Sequence, residues 1–256
     1  MGRFIILSGP SCVGKGPLYA AFAKFYADTA TRLTKLVLYN SRSPRPAEID
    51  GKDYHFRRRE EIESYRNRSN FILLDVRGDL QAVDLDEVDR VLSSGDLFYE
   101  GNPFIARRLQ SAFSSRSDLL SIFLAPISRE EISYLRSPER NVVLADFVTD
   151  VMRRKLLRRT QRQKGILSLK DLENIERRAE SAYAELKEAC HFDHIIPNHD
   201  GEDSENWEAF YYPVGDARKV LLAFADLVSG KIPSRAEKWD TDLLEGTPAP
   251  GTPSNP

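Results

Sequence analysis

Gly9, Pro10, Ser11, Cys12, Val13, Gly14 and Lys15 carry the strongest chemical signal in the sequence. Two glycines enclose four residues and a lysine follows at once, the spacing G-x-x-x-x-G-K of a phosphate-binding loop. Glycines let the backbone bend so that successive N–H groups face phosphate oxygens. Lys15 adds a full positive charge for the β- and γ-phosphates of a nucleotide. The bland alternative is a glycine-rich turn with an exposed lysine, and the flanking segments decide against it. Phe4 to Leu7 is an apolar run that reads as a buried strand, and Pro17 to Ala27 is helix-compatible. Strand, loop and helix together make Gly9 to Gly16 an expected ATP-binding loop, or P-loop, with Lys15 catalytic. Gly16 stands where a Ser or Thr hydroxyl would ligand Mg²⁺. The expectation is therefore Mg²⁺ held through water and the nucleotide, with no direct protein ligand. Cys12 reads as a small loop residue rather than a reactive thiol.

The elements that must position this loop fit a soluble α/β protein. The 256 residues suffice for one large domain or a core with inserts, and 41% hydrophobic content supports a buried core. A net charge of −2 argues against general nucleic-acid binding. Two cysteines, Cys12 and Cys190, make no disulfide framework. No apolar run is long enough to span a membrane and no signal peptide precedes the first strand, so a cytoplasmic location is expected.

A second constellation follows a short apolar run, Lys35 to Tyr39, read as a strand. Arg42 and Arg45 sit in a loop stiffened by Pro44 and Pro46, and Asp50-Gly51 then turns the chain toward Tyr54 and Phe56. Planar guanidinium forks and a tyrosine hydroxyl suit a defined anion. Ser41-Arg42-Ser43-Pro44-Arg45 followed by Asp50-Gly51-Lys52-Asp53-Tyr54-His55-Phe56 resembles the guanylate kinase family, whose pattern is T-T-R-x-P-R and then D-G-x-D-Y-x-F. The resemblance implies that Arg42, Arg45 and Tyr54 hold the phosphate of an acceptor nucleoside monophosphate, GMP foremost. It weakens around Asn70 to Val76. There Leu73 or Leu74 replaces the family's guanine-reading glutamate, Gln81 replaces a phosphate-holding tyrosine, and Leu38 replaces a guanine-reading serine. Asp75, Arg77, Asp79 and Gln81 are candidates for a substitute set, or ordinary turn polarity.

Glu100 ends the short strand Leu97 to Tyr99, where ligands approach doubly wound sheets, and matches loosely a family aspartate near metal and acceptor. Leu144 to Gln163 is a helical stretch dense in Arg and Lys, with Gly165 as a possible hinge. By resemblance it belongs to a lid whose Arg158, Arg159 and Arg162 close over the transferring phosphoryl group; Arg158 and Arg162 are expected to be catalytic. Arg178, ahead of Arg177, matches a family arginine that reaches the phosphates, the alternative being ion pairs with Glu173 or Glu180. Asn198 matches an asparagine near the donor's adenine. The expected fold is α/β, a P-loop NTPase core with a parallel sheet (1–35, 96–126 and 191–230), an inserted acceptor-binding region (36–95) and a helical lid (127–190). Residues 233–256, rich in Pro, Gly and Thr, read as a disordered tail. The expected function is ATP-dependent phosphorylation of a nucleoside monophosphate, with a different acceptor base or a non-catalytic binding module as rivals.

Overall fold

The computed structural model describes residues 2–44 and 48–245. Its strands are β1 (Phe4–Ser8), β2 (Leu33–Lys35), β3 (Tyr39–Asn40), β4 (His55–Phe56), β5 (Phe71–Val76), β6 (Asp79–Asp84), β7 (Asp96–Gly101), β8 (Leu119–Ala125) and β9 (His194–Pro197). Its α-helices are α1 (Lys15–Phe25), α2 (Ala27–Ala30), α3 (Arg59–Glu63), α4 (Leu85–Ser94), α5 (Pro103–Ala112), α6 (Arg129–Leu135), α7 (Leu144–Lys164), α8 (Leu169–Lys187) and α9 (Gly215–Val228).

One sheet has five parallel strands in the order β2-β7-β1-β8-β9. β1 is central and wholly buried, which explains its unbroken apolar run. Its side chains alternate between two cores. Ile5 and Leu7 join Leu18 and Phe22 of α1 and Val220, Leu221 and Phe224 of α9. Phe4 and Ile6 join residues of α4, α5, α7 and α8 on the other face. Each such fully buried side chain stabilises the fold by roughly 1.5–3 kcal/mol. Helices on both faces with the loop after β1 at the strands' carboxyl ends give the doubly wound architecture that the sequence implies.

The second sheet has the order β4-β3-β6-β5 and mixed direction. All four strands fall between Tyr39 and Asp84. The run Lys35 to Tyr39, expected as one strand, is split. β2 stops at Lys35, and Leu36 and Leu38 turn into the core while the chain crosses to the second sheet. Helices α7 and α8 form a hairpin, with Gly165 at φ 72° between them. Ser128–Glu131 and Ser168–Asp171 are capping boxes that start α6 and α8.

The expected disordered tail needs correction up to residue 245. Glu237 pairs with Ile195 of β9 through backbone bonds of 2.8 and 2.7 Å, and Trp239 is 2% exposed. Tyr183 of α8 donates to the Leu244 carbonyl at 2.8 Å. Trp239, Leu243 and Leu244 supply the apolar anchors that an averaged composition conceals. The expectation for 246–256 lies outside the described residues.

Candidate functional site

The loop after β1 is shaped by glycine where it touches its neighbours. Gly9 (φ 144°) lies so close to β8 that a Cβ would stand 2.4 Å from the Leu124 carbonyl oxygen. Gly14 (φ 105°) begins α1, and a Cβ there would stand 2.5 Å from Asn198 Nδ2. Lys15 folds back over its own loop. Its Nζ donates to the carbonyls of Gly9 (2.7 Å) and Pro10 (2.8 Å), and burial lowers its pKa. Ser11 Oγ accepts from Arg77, and Pro10 accepts from the Val13 amide. Cys12 is buried, its thiol pushed up to about 12 chiefly by desolvation, which makes it inert as a nucleophile.

Asn198 does not face this cavity. It is fully buried and donates to the carbonyls of Val13 (2.7 Å) and Asp200 (2.8 Å), while its Oδ1 accepts from the Asp200 amide. Its side-chain amide thus ties the glycine loop to the acidic loop. The acidic loop that follows is also structural. Trp207 Nε1 donates to Asp200 and Gly201 carbonyls, and the Glu202 amide donates to the Cys12 carbonyl.

A cavity of about 200 Å³ opens beside the loop. It is bordered by Gly9, Ser11, Cys12 and Lys15, by Arg42, Tyr54 and Gln81 from the second sheet and its loops, and by Glu100 at the end of β7. Arg42 makes a bidentate pair with Glu48 (2.6 and 2.7 Å) and lies over the rings of Tyr54 and Phe56, 5.1 and 5.4 Å from their centroids. Sequence reasoning missed Glu48, although a carboxylate six residues beyond Arg42 in the same loop was a usable signal. Arg45 lies outside the described residues. Burial raises the Glu100 carboxyl pKa, opposed first by Lys35 and then by Lys15. Tyr54 is raised by burial as well.

The helical hairpin brings some of the expected arginines to the cavity and turns others away. Arg159, Arg177 and Arg178 border the cavity; Arg158 and Arg162 do not. The latter two share the outer face of α7 and turn toward the acidic loop, Arg158 at 3.6 Å from Asp203 and Arg162 at 3.7 Å from Glu205. Arg159, one position round the helix, is 15% exposed and pairs with Glu202 at 2.7 Å. Among the described residues the Arg178 guanidinium has no hydrogen bond or ion pair, and burial lowers its pKa. The alternative of surface ion pairs with Glu173 or Glu180 is not formed.

Of the four candidates for a substitute base-reading set, Asp75 is used locally. It accepts from the Gly78 amide and pairs with Arg59 at 2.7 Å. Arg77, Asp79 and Gln81 border the cavity. A neighbouring cavity of about 180 Å³ shares Tyr54, Gln81 and Glu100 and adds Lys35, Leu36 and Leu38. Among the described residues no group of three His, Cys, Asp or Glu side chains is arranged to hold a metal ion, and no helix is long and apolar enough to cross a membrane.

The family model for guanylate kinase matches residues 1–135. A guanylate kinase from Bacillus anthracis is 35% identical over 133 residues, covering 51% of this chain and 62% of its own length. Another from Bacillus cereus (strain ZK / E33L) matches to the same extent, so the chain spans under two thirds of these relatives. The guanylate kinase of Bacillus subtilis (strain 168) is 28% identical over 199 residues, covering 77% of this chain and 81% of its own. In fold, the guanylate kinase from Anaplasma phagocytophilum superposes with a TM-score of 0.53 at 17% identity, covering 92% of this chain and 89% of that one.

Proposed function

This chain belongs to the guanylate kinase family, and we propose that it transfers the γ-phosphoryl group of ATP to a nucleoside monophosphate, GMP foremost. The observation that carries the reading is the convergence of Lys15, Arg42, Tyr54 and Arg178 on one cavity from three separate parts of the chain. Phosphoryl transfer needs little covalent chemistry from the protein; it needs two phosphates in line and cations around the charge that builds between them. Lys15 and the N–H groups of Gly9 to Gly16, here read as a P-loop, cradle the donor. Arg42 exchanges Glu48 for the acceptor phosphate, with Tyr54 as a further donor. Arg178, already expected at the phosphates, acts with Arg159 at the transferring group, while Arg158 and Arg162 face the acidic loop.

A Cβ at Gly16 would meet nothing within 4 Å, which leaves room for water around a Mg²⁺ that arrives with ATP. Glu100 is a carboxylate at the cavity wall able to accept from those waters. When bound, the ion offsets charge on the β- and γ-oxygens. Residues 36–95 then act as the acceptor-binding region, 127–190 as the lid, and the absence of a spanning helix among the described residues fits a cytoplasmic enzyme.

A second reading, the same transfer to a different base, is favoured by the neighbouring cavity. Leu36 and Leu38 border it where a guanine-reading hydroxyl is expected. The test is ADP formation from ATP and Mg²⁺ with GMP, dGMP, AMP, CMP and UMP in turn, with Lys15→Ala as control. GMP turnover that falls at least about 10²-fold in the variant supports the first reading. Turnover with another base alone selects the second. No turnover with any acceptor defeats both and leaves a binding module.

A further inference from the structure

Val76 of β5 pairs with Asp79 of β6, so Arg77 and Gly78 are the two central residues of a tight hairpin turn. Both have positive φ, 59° and 88°. Such a turn favours Asn-Gly, and a long side chain at its first position is strained. Strain retained at a cavity wall points toward function when the side chain has somewhere particular to go.

The Arg77 side chain does. It leaves the turn and crosses to the glycine loop, where Nη1 donates to Ser11 Oγ at 2.6 Å, across 66 residues of sequence. The same nitrogen lies 3.7 Å from Oε1 of Glu185, a carboxylate only 1% exposed. That oxygen also accepts from Asn102 and Ser181, while Glu185 Oε2 is buried without a partner. The guanidinium thus borders the cavity, 22% exposed, hydrogen-bonded to a neutral hydroxyl and steadied by a carboxylate beyond bonding distance. Its charge acts on Lys15 at the donor end and on Tyr54 at the acceptor end.

We infer that Arg77 is a further catalytic residue, an arginine delivered by the acceptor-side hairpin to the phosphoryl group in flight. The inference rests on the proposed kinase reaction. In that reaction an oxygen of the acceptor phosphate bonds to the γ-phosphorus of ATP. The bond from that phosphorus to the β,γ-bridging oxygen breaks, and its electron pair leaves on ADP. No further reactant is consumed. Arg77 releases Ser11 and donates to an equatorial oxygen of the transferring group, where negative charge is spread in the transition state. Because the hairpin belongs to the acceptor sheet, the Arg77–Ser11 bond links the acceptor side to the glycine loop.

The test uses the full chain and the variants Arg77→Asn and Arg77→Lys, with kcat, KM and Tm measured for each. Asn restores the favoured turn pair, so Tm should hold or rise while kcat falls about 100-fold and both KM values change less than about threefold. Lys should recover part of the lost kcat. A lower Tm for Arg77→Asn, with higher KM and little change in kcat, would mean a structural strut and overturn the inference. An active wild type whose Asn variant keeps its kcat overturns it too, and leaves the kinase reading standing. A wild type that turns over no monophosphate sinks the kinase reading, and the catalytic role of Arg77 with it.

Discussion

The glycine loop and helix α7 both bring cations to the site, but they hold them by different means. Lys15 is held by carbonyls five and six residues back in its own loop. The cations of α7 are held by a loop some forty residues further on. Lys155 donates to the His199 carbonyl, Arg159 pairs with Glu202, and Arg158 and Arg162 face Asp203 and Glu205. A grip made within one loop is encoded by local spacing, although the loop itself rests on β8 and Asn198. A grip made between distant segments depends on the whole fold and can be exchanged for a phosphate's charge. The donor grip therefore reads as permanent and the lid grip as conditional.

The largest effect expected from this contrast separates the arginines of the hairpin. Arg178→Gln should lower kcat about 10²-fold, because Arg178 borders the cavity with its donors free among the described residues. Arg158→Gln and Arg162→Gln should stay within about threefold, since both point at the acidic loop. Steady-state kinetics of the three variants decide it; a reversed order would mean that the helix rotates its outer face inward on closure.

A smaller effect probes the local grip. Asn198→Ala removes the buried donor of the Val13 carbonyl, while the Asp200 carbonyl keeps Trp207 Nε1. We expect a loss of about 2 kcal/mol, read as a lower urea midpoint at constant m, together with a raised KM for ATP. An unchanged midpoint would show that the loop holds itself.

The smallest effect lies where the acidic loop begins. Partial burial opposes charge on His199, but its hydrogen bonds to Glu131 of α6 and Asp216 of α9 outweigh this and raise its pKa. Arg235 shares Asp216 at 2.7 Å, and the Ser128 amide shares Glu131. A histidine raised in the folded state contributes stability that is complete below its ordinary pKa near 6.5 and is lost as pH rises through the raised value. The Tm gap between wild type and His199→Gln should thus be widest in mild acid and narrow toward alkaline pH. A gap that does not change with pH would mean that the neutral ring supplies all the stability.

Much of this was legible in the sequence, for physical reasons that also mark where reading stopped. Gly9 to Lys15 could be found because a phosphate cradle is built from neighbours in the chain. β1 and β8 could be found because strands buried on both faces are apolar but for single serines, Ser8 and Ser121. The arginines of α7 could not be sorted, because periodicity gives faces but not which face meets the cavity, and Arg158 and Arg159 are adjacent. The structural partners of Asn198, Val13 and Asp200, were not legible, because they appear only once β9 lies beside the loop. Arg77 stood among the polar candidates, but its aim at Ser11 follows from a turn geometry that requires the strand register to be known.

The stretch 233–245 has a consequence for the molecule's behaviour among its own copies. β9 is the last strand of the five-stranded sheet, and an uncovered outer strand offers its amides and carbonyls to any other chain in solution. Glu237 occupies Ile195 from that side, and Trp239 is buried just beyond it. A chain shortened to Gly230 would present a raw sheet margin beside the uncovered apolar bed of Trp239, and would tend to assemble edge to edge into aggregates. The strap is in this sense a guard against self-association, anchored in the core through Trp239, Leu243 and Leu244.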